Sequence, residues 1–208
     1  MNKSYRGQED ICLTVIMRFQ NCYCHHLQRL ILIFRKMCRR TVIPILTRVI
    51  GISLKGHFYN HKIEGIPTIR EKSRIIIGEY SYIGTDVTFD VQKEGRILIG
   101  QFVRINKGCI ISSAKGIEIG NNVLIGEYTS IRDSNHKIAR DKLIRNQELN
   151  SSEIIIEDDV WIGRGCIILK GVHIGEGSVI AANSVVNKSI PAYKIAGGNP
   201  AKIIKDRD

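Results

Sequence analysis

From Ile77 onward an Ile or Val heads one six-residue block after another. The hexads read IGEYSY from Ile77, IGTDVT from Ile83, IGQFVR from Ile99, INKGCI from Ile105, IGNNVL from Ile119 and IGEYTS from Ile125. They resume as IEDDVW from Ile156, IGRGCI from Ile162, ILKGVH from Ile168, IGEGSV from Ile174, IAANSV from Ile180 and VNKSIP from Val186. A spacing of six fits neither an amphipathic helix nor simple strand alternation, and a fixed period is the signature of a repeat architecture. The pattern predicts short strands joined by sharp corners, three to a turn of coil, so that residues eighteen apart, such as Ile156 and Ile174, stack. The first position then fills the axis of a triangular prism. The fifth position also faces in, where space is tight, and its occupants from Ser81 to Ser184 are small or β-branched. Glycine often follows the aliphatic, as expected of a corner whose backbone disfavours a Cβ.

The longest break in the rhythm comes after Ile131. Ile156 follows Ile131 by twenty-five positions where six would keep the register, so about nineteen residues are extruded as a loop over about 132–155. A segment thrown out from a rigid scaffold is where chemistry concentrates, and this one carries His136 at its root.

Upstream the pattern is different. Leu27, Leu30, Ile31, Phe34 and Met37 share one helical stripe, with Arg29, Arg35, Lys36, Arg39 and Arg40 elsewhere, which predicts a basic amphipathic helix bent or restarted near Pro44. Cations between Phe34 and Thr41 interrupt any bilayer-spanning run, which needs roughly 20 residues. The division expected is a helical N-terminal segment, 1–61, packing on the domain or touching an anionic membrane surface peripherally, and an all-β solenoid, 62–208.

Charge supports that split. The chain carries +11 overall, and its first 50 residues hold nine Lys/Arg against two Asp/Glu. No nucleic-acid reader motif or aromatic stacking face accompanies the excess, which argues against a nucleic-acid partner. Six cysteines without disulfide-scaffold density and no secretory signal point to reduced thiols and a cytoplasmic protein. Cys22, Cys24, His25 and His26 lie too close together, without a distant second pair, for ordinary zinc spacing. Cys109 and Cys166 occupy the small inward position and read as packing residues, while His173 ends its hexad and points outward.

Taken together, the hexads resemble those of the hexapeptide-repeat acyltransferases over about residues 62–205, within them the galactoside, maltose and lipopolysaccharide O-acetyltransferases. The resemblance implies a left-handed parallel β-helix, a homotrimer with active sites between subunits, acetyl-CoA as donor, a saccharide acceptor and no required metal. It makes His136, in IGNNVLIGEYTSIRDSNHKI, the general base that takes the acceptor proton, a task suited to imidazole. Asp133 is expected near the acceptor, orienting the ring unless a backbone carbonyl does so, and Asn106 falls where galactoside-type enzymes bind the acceptor. Ser112 and Ser113 replace an acidic residue common in those enzymes, leaving acceptor identity open. Trp161 is implied beside both substrates. Arg164, Ala182, Asn187, Lys188, Lys202 and Lys205 fall at positions that contact coenzyme A.

Three other readings remain. One is acetylation of an amino sugar, or of serine on the same prism. Another is a γ-type carbonic anhydrase, which needs three zinc-binding histidines where the prism has His136 and His173 alone. The third is a structural trimer docking on a membrane or partner.

Overall fold

The computed structural model describes residues 52–54, 62–64, 68–70, 74–92 and 94–208. The expected N-terminal helices, and with them any membrane contact, lie outside these residues. No helix among the described residues is long and apolar enough to cross a membrane.

Three parallel sheets form the walls of a prism. The first stacks Ile52–Leu54, Arg74–Ile77, Arg96–Ile99, Ile117–Ile119, Ile154–Ile156 and His173–Ile174. The second runs from Lys62–Ile63 through Tyr82–Ile83, Arg104–Ile105, Leu124–Ile125 and Trp161–Ile162 to Val179–Ile180. It is finished by Lys194–Gly198 and Ala201–Asp206, an antiparallel pair. The third contains Thr68–Arg70, Thr88–Val91, Ile110–Ser113, Ser130–Arg132, Ile167–Ile168 and Val185–Val186. Ile52–Leu54, which the hexad pattern left in the N-terminal segment, already pairs in parallel with Ile75–Ile77.

The repeat dictates the register. Ile156 lies against Ile174 and Ile162 against Ile180, eighteen residues apart as expected. Earlier coils are longer: Ile77 pairs with Ile99 and Ile99 with Ile119, because four-residue third-wall strands, Thr88–Val91 and Ile110–Ser113, lengthen that side. Ile119 pairs with Ile156, thirty-seven residues on, so the interruption adds the expected nineteen.

First-position residues Ile83, Ile105, Ile125, Ile162 and Ile180 stack along the axis, none more than 1% exposed. At the fifth position the hydroxyls and thiols have a task beyond filling space. Ser81, Cys109, Thr129 and Cys166 each donate to the carbonyl of the second-position residue one coil on, at Gly100, Gly126, Gly163 and Ala181, over 3.1–3.2 Å. Small donors give these carbonyls a side-chain partner that a Val cannot supply.

The second-position glycines have a different cause from the one expected. Left-handed φ falls at the fourth position, mostly on non-glycine residues such as Tyr80, Asp86, Phe102, Asn122 and Tyr128. A Cβ on Gly126 would instead lie 2.4 Å from the Arg164 amide nitrogen, and one on Gly163 2.6 Å from that of Ala182. Coil spacing, not torsion, requires glycine there.

Burial pushes the Cys109 thiol from its ordinary 9.0 up to about 11, and raises that of Cys166 as well. Neither thiol will be alkylated by iodoacetamide at pH 8 in the native protein, as peptide mass spectrometry will show. The unfolded thiol loses its proton from about pH 9 while the folded one keeps it to about 11, so the contribution to stability is fully present only below pH 9. That contribution disappears as pH rises through about 11.

Candidate active site

The extruded segment is an ordered hairpin rather than a structureless loop. The chain bends at Asp133, and Ser134–His136 then pairs antiparallel with Leu149–Ser151, His136 opposite Leu149. Lys137 N–H donates to the Glu148 carbonyl at 3.1 Å and their side chains form an ion pair at 2.8 Å, which holds the Glu148 carboxyl below its usual range. Gln147 staples the tip: its Oε1 accepts from Ala139 N–H at 2.8 Å, and its Nε2 donates to the Ala139 and Lys142 carbonyls, both at 2.9 Å. These are polar pairings without alternating apolar residues, so no strand signal is legible in the segment.

His136 is exposed on this hairpin, beside an open cleft of about 450 Å³. Ser134, Asn135, Gln147 and Leu149 line it from the hairpin, Gln92 and Arg132 from the coil. An imidazole on an open, hydroxyl- and amide-lined cleft can accept a proton from a polar acceptor.

The structure gives Asp133 a role other than touching the acceptor or orienting that ring. It is fully buried, and its carboxylate accepts from Ser113 Oγ at 2.9 Å and from the backbone N–H groups of Ala114, Lys115 and Gly116 at 2.7–2.8 Å. Its own N–H donates to the Ser112 carbonyl and its carbonyl accepts from Ser152 N–H, so Asp133 closes the neck of the hairpin. Four donors and no exposed surface leave it nothing for a ligand. The residues it binds are 17–20 positions upstream, a long-range pairing that local spacing does not reveal.

The remaining residues fall in three places. Trp161 faces outward from the second wall, 55% exposed, between Leu124 and Val179, and the exposed Lys202 and Lys205 lie on that wall's last strand. Half-buried Asn106 and exposed Arg164 and Ala182 are at the corner between the second and third walls. Exposed Asn187 and Lys188 follow the last third-wall strand, at the corner from which the hairpin springs two coils earlier. His136 therefore projects from the prism edge opposite the wall that carries Trp161, and one chain does not bring the two together. Sequence reasoning passed over Arg132, Gln92 and Gln147. Among the described residues no three metal-ligating side chains come together.

Residues 153–188 match the family described as bacterial transferase hexapeptide (six repeats). A probable acetyltransferase of Mycobacterium tuberculosis is 35% identical over 75% of this chain and 52% of its own length, and the chain spans about half the length of the first curated relatives it matches. The galactoside O-acetyltransferase of Escherichia coli is 32% identical over 74% of this chain and 75% of the relative. Among solved structures, a variant of an N-acyltransferase from Bacillus cereus superposes with a TM-score of 0.66 at 24% identity, covering 77% of this chain and 87% of that one, a likeness of fold. The coil, its period and these matches agree: the chain belongs to the hexapeptide-repeat acyltransferase family.

Proposed function

We propose that the protein transfers an acetyl group from acetyl-CoA to a hydroxyl of a saccharide, with His136 as general base. The observation that carries this reading is the placement of His136, exposed at a polar cleft on a hairpin pinned to a rigid coil. Its imidazole takes the acceptor proton as the oxygen attacks the thioester carbonyl, forming the new C–O bond. Backbone N–H groups meet the charge that develops on the carbonyl oxygen. As the C–S bond breaks, the imidazolium returns its proton to the departing thiolate.

Arg164, Lys188, Lys202 and Lys205 suit a phosphate-bearing donor, being exposed cations, and Ala182 lets a flexible arm pass close to the backbone. Because His136 and Trp161 stand on opposite sides of the prism, the site is completed when the hairpin of one copy meets the second wall of another. A trimer closes such head-to-tail contacts. Asn106 then lies on the acceptor side of the shared site.

Acetyl-CoA consumption measured with neutral sugars, amino sugars and serine tests the reading. The expected product is a base-labile sugar ester. A base-stable amide, or turnover with serine alone, would replace the acceptor class, and no turnover with any of them would remove the function.

A further inference from the structure

The geometry points to Arg132 as a specificity-determining residue that binds an anionic group, phosphate or carboxylate, on the acceptor beside its reacting hydroxyl. The inference rests on the acyl-transfer reading of the His136 cleft and adds its substrate class.

Three observations carry it. Arg132 is the one ionic side chain among the residues lining the cleft; Gln92, Ser134, Asn135 and Gln147 are neutral and polar and Leu149 is apolar. The adjacent carboxylate, Asp133, is fully buried and occupied by four donors, and Asp90 reaches the guanidinium only through the Ser112 hydroxyl, so it offsets part of the charge without occupying the fork. Arg132 is also built into place. Asp90, Ser112 and Arg132 stand in register on successive third-wall strands. The Ser112 hydroxyl, 1% exposed, donates to Asp90 Oδ2 at 3.2 Å and accepts from Arg132 Nη1 at 3.1 Å. That is the guanidinium's one side-chain hydrogen bond among the described residues. Most of its five N–H donors stay available, in a planar fork that matches a phosphate or carboxylate edge.

The position also fits the chemistry. Arg132 and His136 are four positions apart, at most roughly 13 Å of extended backbone and less across the bend at Asp133. An anion held by the guanidinium therefore lies within about one monosaccharide of the hydroxyl that His136 deprotonates. The candidates are a sugar phosphate and a uronic acid.

The test compares glucose, glucose 6-phosphate and glucuronate on the full-length protein, by calorimetric binding and by acetyl transfer, for wild type, Arg132→Gln and Arg132→Lys. Wild type is expected to favour one or both anionic sugars over glucose by roughly 10- to 100-fold in affinity and in kcat/KM. The phosphate and uronate arms identify which anion is read. Arg132→Gln abolishes the preference and Arg132→Lys restores part of it. Equal binding of the three sugars by wild type, or a preference that survives Arg132→Gln, overturns the inference, as does a change of oligomeric state in Arg132→Gln with the preference intact. Anion-dependent binding without any transfer would sink the acyl-transfer reading while leaving Arg132 as the anion site.

Discussion

His136→Ala lowers kcat for acetyl transfer by about 10²- to 10⁴-fold and leaves the melting temperature within a degree or so of wild type. The activity loss follows from removing the one side chain of the cleft suited to take a hydroxyl proton near neutral pH. The unchanged stability follows from its surroundings. His136 is exposed, its strand pairs through the backbone, and none of the hairpin's stapling bonds uses its ring. Steady-state kinetics with thermal unfolding separates the two effects. A variant that retained wild-type kcat would exclude His136 as the base.

Asp133→Ala gives the opposite profile. Three backbone N–H groups lose their acceptor at once, while the Ser113 hydroxyl can turn to the Arg96 carbonyl 3.0 Å away, and each buried donor left unpaired costs about 1–3 kcal/mol without simple additivity. A total loss of at least about 3 kcal/mol is expected, which in a chain of this size lowers Tm by roughly 6–12 °C. Activity falls with it, because the residue that closes the hairpin's neck sets where His136 points. Asp133→Asn is milder: its remaining oxygen can keep the three donors to Oδ2, while its NH₂ group faces the Ala114 N–H. Calorimetry on the two variants orders them Ala, Asn, wild type in rising stability. If Asp133→Ala melted like wild type, the buried carboxylate would not be the hairpin's anchor.

These two residues show where the sequence was readable. The coil was legible because its physics is local: one aliphatic per six residues fixes strand length, inward face and stacking partner together. The nineteen-residue insertion could be counted for the same reason. His136 stood out because imidazole at a break in a rigid repeat has few structural uses. Asp133 misled, since three residues from a histidine is the spacing of an orienting carboxylate, whereas its partners are Ser113 and the turn after it, one coil away. Arg132 was invisible for a related reason: on the one-dimensional chain it is another surface cation, and only the stacking of Asp90, Ser112 and Arg132 shows it held at the cleft. The glycines were located correctly and explained wrongly, because a spacing constraint between coils leaves the same trace in sequence as a torsional one.

The most direct measurement is a crystal structure of the protein with coenzyme A bound. The sulfur is expected within about 3–4 Å of where an acceptor oxygen meets the His136 ring of one copy, with Trp161 of a neighbouring copy against the same ligand. A thiol end bound away from His136, or a complete site formed within a single chain, would contradict this arrangement.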